Sequence, residues 1–211
     1  MSLFTIFPIP FPFIFVYIIN TQRGRIIVNS ITKNKHNYSY ISLRYTNYVW
    51  LYLLLFRIMP TTWKYKYLWF VYNSTFGLFF GIQWLWYLDK YKALFEIGKQ
   101  YNITNKYKLI IGDLVYHLTP LIITQFICHK LLKSGLNQTV YNPYGSGIIT
   151  GLMHITYSYM INGKFDPSDL YMIKTRSQQF VDYSRLGIII AHCCGELVLR
   201  LNTIKSCNKQ L

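Results

Sequence analysis

The chain has 211 residues, and 22 Lys and Arg against 7 Asp and Glu give it a formal charge of +15. Hydrophobic residues make up 52% and aromatics 18%, while charged residues supply only 14%, well under the roughly 25% of soluble domains. That balance excludes an ordinary soluble enzyme, and the abundance of Tyr, Phe and Ile excludes a disordered chain. It also argues against a nucleic-acid binder, because the basic residues stand between long apolar runs rather than among modest ones. The pattern is that of a polytopic membrane protein, in which Lys and Arg flank apolar segments and meet anionic head groups.

Residues 1–46 form an N-terminal part, a hydrophobic Pro-rich segment followed by a basic loop. The first apolar stretch, Leu3 to Ile19, is long enough to cross if tilted. Pro8, Pro10 and Pro12 disfavour a regular helix in its first half, so a kinked or partly re-entrant segment is expected. It lacks the positive n-region and small-residue cleavage site of a signal peptide. Residues 21–46 are polar and basic, with Arg23, Arg25, Lys33, Lys35 and Arg44, and His36 is a loop residue.

Residues 47–211 read as a membrane helical bundle. Tyr48 to Met59 is a short apolar run that includes Arg57 and ends at Pro60. Tyr67 to Leu88 carries no charge and has Trp and Tyr at both ends, as an aromatic belt does. Residues 89–106 read as a polar loop. Leu109 to Leu132, Gly145 to Ile161 and Leu186 to Leu201 complete the set. The expected fold is therefore all-α, a transmembrane bundle of four to six spans, without an internal repeat. If six segments cross, one side carries about 12 Lys and Arg and the other about 7, and the positive-inside rule places both termini outside the cytoplasm or its equivalent. The four cysteines, Cys128, Cys193, Cys194 and Cys207, form no CxxC pair; Cys193 and Cys194 read as small packing residues.

Five ionisable groups fall inside the last three spans: Asp113, His117, His154, His192 and Glu196. Each costs about 2.5–3.5 kcal/mol to insert. Asp113 and His117 are i,i+4 and share a helix face, as do His192 and Glu196. A carboxylate beside a histidine fixes its tautomer and raises its basicity. If the helices pack together, three imidazoles and two carboxylates converge on one cavity. Polar side chains also act as structural links between membrane helices, so pairing for stability is the competing expectation. His129, beside Lys130 at a helix end, reads as interfacial.

Three chemistries use such a cluster. The first is hydrolysis of a lipid ester, with His117 or His154 as base and Asp113 orienting His117; Thr119, Thr124, Thr156, Ser158 and Cys193 are nucleophiles nearby in sequence. This reading needs no cofactor. The second is a zinc site built from His154, His192 and Glu196, though no HExxH or HxxxH occurs. The third is haem between facing histidines.

Residues 63–201 resemble the androgen-induced-gene family of membrane hydrolases. The likeness lies in Trp63 to Phe70 leading to Phe79–Ile82, in HLTP at His117 to Pro120, in INGKFDPSDLY at Ile161 to Tyr171, and in GELVLRLN at Gly195 to Asn202. The resemblance implies a multi-pass protein that hydrolyses fatty-acid esters of hydroxy fatty acids through a threonine nucleophile and a histidine base. His117 matches that histidine. Trp69 stands where the threonine belongs, Ser74 and Thr75 are the next hydroxyls along, and the stretch from Gly81 to His117 is short by about one helical hairpin.

The alternative is a non-catalytic membrane subunit. High Ile, Tyr, Phe, Lys and Asn suit an AT-rich organellar or viral genome, and such a subunit packs its aromatic spans on membrane-protein partners. A small channel relaying protons through the Asp113/His117 and His192/Glu196 pairs is a further possibility. In each case the expected location is a membrane, endomembrane or mitochondrial, and the bilayer is the first partner.

Overall fold

The structure is a computed structural model that describes residues 45–100, 102–134, 140–162 and 177–207. The Pro-rich segment, most of the basic loop and the stretch from Gly163 to Tyr171 lie outside the described residues. All regular structure within them is helical: α1 Tyr45–Ile58, α2 Thr61–Leu88, α3 Lys92–Gln100, α4 Lys106–Lys133, α5 Ser146–Asn162 and α6 Gln178–Cys207.

Helix α2 is the centre of the bundle. More than half of its residues are buried, on every side of the helix, which is the mark of a core element. Tyr65 donates to the Leu131 carbonyl at 2.8 Å, Tyr72 to Gln125 at 2.5 Å and Trp86 to Asp113 at 2.9 Å, so α4 runs antiparallel to α2. The contacts of Gly77 with His192, Gly81 with Ile188 and Gly187 with Trp84 set α6 antiparallel on another face. The C-terminal ends of α4 and α6 therefore lie at the same end of the bundle, with Ser206 donating to the Leu132 carbonyl at 3.0 Å.

Small residues let these helices approach closely. Gly77 and Gly81 of α2, and Gly147 and Gly151 of α5, form two G-x-x-x-G stripes against α6. At Gly147 an added Cβ lies 2.5 Å from the Cys193 Cα and 2.8 Å from the Cys193 nitrogen. Those atoms are backbone and cannot rotate aside, so the two helices must part. Gly147→Ala is expected to cost about 1–3 kcal/mol, read as a lower unfolding midpoint in detergent. Gly112→Ala, where nothing lies within 4 Å, is expected to gain up to about 1 kcal/mol from helix propensity.

Among the described residues two helices are long and apolar enough to cross a membrane, α4 with 28 residues and α6 with 30. At 1.5 Å per residue each exceeds the ~30 Å hydrocarbon core. The chain buries only 17% and 28% of their most apolar windows, unlike the core helices of a soluble protein. Ile111, Val115, Ile122 and Phe126 of α4 and Leu186, Ile190, Leu197 and Leu201 of α6 are exposed, rows that suit contact with lipid.

Of the expected four to six spans, these two are the ones that meet both length and hydropathy among the described residues. Helix α2 has the length, but its many Tyr and Trp, with Asn, Gln and two Lys, lower its hydropathy, and it is covered by its neighbours. Helix α5 has 17 residues, about 26 Å. The expected polar loop at 89–106 contains α3, whose first turn is held by Asp89 Oδ2 accepting from the Ala93 amide at 2.6 Å and whose Ala93 and Leu94 are buried.

Candidate functional site

Helix α4 carries Asp113 and His117 one turn apart. His117 Nδ1 lies 2.9 Å from the Asp113 carbonyl oxygen and 3.2 Å from its Oδ1. Both neighbours are acceptors, which places the proton of a neutral imidazole on Nδ1 and leaves Nε2 as an acceptor. The Asp113 carboxylate is itself held from α2, with Trp86 Nε1 donating to Oδ2 at 2.9 Å and Gln83 Nε2 at 3.4 Å. The expected i,i+4 pair is thus present, and α2 fixes its orientation.

Opposite His117 Nε2 stands a hydroxyl that the sequence reading did not single out. Thr46 of α1 places Oγ1 3.2 Å from Nε2. Thr46 is fully buried and His117 is 2% exposed. Hydroxyl, imidazole and carboxylate thereby form one chain, the arrangement in which a base takes a proton from a nucleophile and a carboxylate steadies the base. Seventy-one residues separate the hydroxyl from its histidine, so no local spacing reveals the pair. An ester reaches this hydroxyl only when neighbouring side chains part.

The hydroxyls expected nearer the matched nucleophile position are engaged elsewhere. Ser74 accepts from the Tyr45 hydroxyl at 3.3 Å, and Thr75 donates to the Tyr72 carbonyl at 3.0 Å. Trp69 is buried in the core. On α4, Thr119 and Thr124 donate to the carbonyls of Val115 and Pro120, one turn back.

His154 and His192 meet each other, not His117. His154 Nδ1 and His192 Nε2 are 3.4 Å apart with the rings nearly perpendicular. The Tyr45 ring stacks on His154 with centroids 4.0 Å apart, and His192 lies flat against Gly77, where any side chain collides with the ring. The adjacent residues Tyr45 and Thr46 of α1 therefore touch the two histidine groups separately. Among the described residues no hydrogen bond, ion pair or ring contact joins His117 to His154 or His192. The direct contact between the two imidazoles leaves no space for a haem between them.

Glu196 takes a different place from the one its spacing suggests. It shares a helix with His192, but its carboxylate turns to the start of α5. Oε1 accepts from the Gly145 amide at 3.2 Å and Oε2 from the Gly147 amide at 2.7 Å. Arg200 donates to Oε1 through Nε at 3.0 Å and through an Nη nitrogen at 2.8 Å, and its guanidinium also reaches the Asn142 carbonyl. A carboxylate at a helix N-terminus satisfies orphan amides and meets the positive end of the helix dipole. The expected zinc set of His154, His192 and Glu196 is corrected accordingly: two of the three come together and the third caps a helix. Among the described residues no three His, Cys, Asp or Glu side chains form a group that could hold a metal ion.

No protein-family model matches the sequence, and comparison with curated proteins and with solved structures finds no match.

Proposed function

We propose that this chain is a multi-pass integral membrane protein that hydrolyses an apolar ester, with Thr46 as nucleophile, His117 as base and Asp113 as the group that orients and steadies the base. One observation carries the proposal: Thr46 Oγ1 faces His117 Nε2 while Asp113 holds Nδ1. In the first step Oγ1 attacks the ester carbonyl as Nε2 takes its proton, and the alcohol leaves with that proton, forming an acyl-threonine. Water then attacks the acyl carbon with His117 again as base, releasing the fatty acid and restoring the hydroxyl. A lipid ester suits a site that stands beside the exposed apolar face of α4. The pairing of threonine with histidine is the one that the likeness to the androgen-induced-gene family implies, with the threonine on α1 instead of α2.

The test is covalent capture. The purified protein in detergent is treated with an alkyl fluorophosphonate, which phosphonylates activated hydroxyls, and the adduct is mapped by peptide mass spectrometry. The expected adduct is on Thr46 and disappears in His117→Ala. An unlabelled Thr46 removes the hydrolase reading. It favours the second one, a non-catalytic membrane subunit in which Thr46–His117 and His154–His192 link helices, a role consistent with their near-complete burial.

A further inference from the structure

The shared end of α4 and α6 holds a feature that the Thr46–His117 chemistry does not use. A pocket of about 220 Å³ opens between these helix ends. It is lined by Gln125, His129 and Lys133 from α4 and by Asn202, Lys205 and Ser206 from α6, over a floor that includes Cys128. None of its lining residues is acidic. The Tyr72 hydroxyl donates to Gln125 Oε1 and stands beside the Asn202 side chain, from which it can accept. With Oε1 engaged, the amide nitrogen of Gln125 is left as a donor to the pocket.

The surroundings reinforce the charge. Lys64 Nζ donates to the Arg57 carbonyl, and Tyr65 reaches Leu131 and Ser134, so Arg57, Lys64, Lys66 and Lys130 belong to the same end of the bundle. Among the described residues this end has no carboxylate nearer than Glu196, nine residues before Lys205 and already held by Arg200 and the start of α5. The pocket also sits where the apolar stretches of two membrane-length helices run out, which is head-group level. Within two turns of it, Ile122 and Phe126 of α4 and Leu201 of α6 are exposed and offer a surface for acyl chains.

We propose that this pocket binds the phosphate of an anionic phospholipid, gripped by Lys133, Lys205 and His129 with the amide donor of Gln125. Cationic side chains and N–H donors around one concavity suit a phosphate, and the flanking apolar rows favour a lipid as its source over a free phosphate. The site is independent of the hydrolase reading and stands if Thr46 is inert.

The full chain is placed in phosphatidylcholine nanodiscs, and energy transfer from its tryptophans to pyrene-labelled phosphatidic acid is followed. Saturable transfer is expected. Lys133→Ala/Lys205→Ala weakens it roughly thirtyfold, Lys133→Arg/Lys205→Arg retains it, and Lys64→Ala/Lys66→Ala, at the same end outside the pocket, weakens it much less. Equal losses in the two alanine pairs, or transfer that never saturates in the parent protein, overturn the pocket. Full displacement of the labelled lipid by millimolar inorganic phosphate overturns the lipid assignment and makes the pocket a free-phosphate site.

Discussion

Thr46→Val is expected to lower turnover of a long-chain fatty-acid ester by the purified protein by about 10³-fold or more, with its unfolding midpoint little changed. Valine keeps the shape of threonine and removes the hydroxyl that stands 3.2 Å from His117 Nε2. His117→Ala is expected to cost as much, and the double variant no more than either alone, because nucleophile and base act as one unit. Asp113→Asn separates two roles. The Asp113 backbone carbonyl, 2.9 Å from Nδ1, survives the change and still holds the proton on that nitrogen. What disappears is the charge that steadies the imidazolium. A loss of about 10²-fold is therefore expected, smaller than when a carboxylate alone sets the tautomer. Thr46→Ser keeps a hydroxyl and retains measurable turnover. Ester turnover by Thr46→Val equal to that of the parent protein, with the same pH profile, eliminates Thr46 as nucleophile.

The elements of this site differed in how far they could be read from sequence. The Asp113–His117 pair was legible because an i,i+4 spacing on a helix is a contact in itself, and α4 matches its expected span within three residues at either end. Thr46 was not legible. Helical periodicity says which residues share a face, not which face of another helix they meet, and Thr46 falls at the end of the stretch that reads as a basic loop, two residues before the short apolar run at Tyr48, whereas the helix begins at Tyr45. The same limit explains Glu196. Its spacing from His192 suggested a common cavity, but neighbouring elements divide the face of α6, with His192 turned to α2 and His154 while Glu196 meets the first turn of α5. The signal for that crossing was present as Gly147 and Gly151, four residues apart, which admit the α6 backbone. Helix α2 is ambiguous for a physical reason too. Its lack of charge and its terminal aromatics suit a span, but those same aromatics fill the centre of a helical bundle, and Tyr and Trp with polar tips serve both settings.

Glu196→Ala is expected to destabilise the fold by about 3 kcal/mol, a second large effect that tests whether this carboxylate is a cap or a member of a reactive cluster. The substitution removes the acceptor of the Gly145 and Gly147 amides together, at the point where α5 begins. It also strips Arg200 of its carboxylate; the guanidinium keeps only the Asn142 carbonyl and the Tyr144 ring, 3.9 Å from its centroid. Both side chains of the pair are mostly covered, 24% and 13% exposed, so water replaces these contacts poorly. Glu196→Gln retains one oxygen but turns an NH₂ group toward amides and a guanidinium that are themselves donors, and about half the loss is expected. In Glu196→Ala/Arg200→Met the unpaired cation is gone and its volume remains largely filled, so the double variant is expected to be more stable than Glu196→Ala alone. A double-mutant cycle on unfolding in detergent then yields a coupling of about 1–3 kcal/mol between the two positions, while hydrogen exchange at the Gly147 amide quickens in Glu196→Ala. An unfolding midpoint that does not move, together with lost ester turnover, would remove the capping role and return Glu196 to the chemistry of the site.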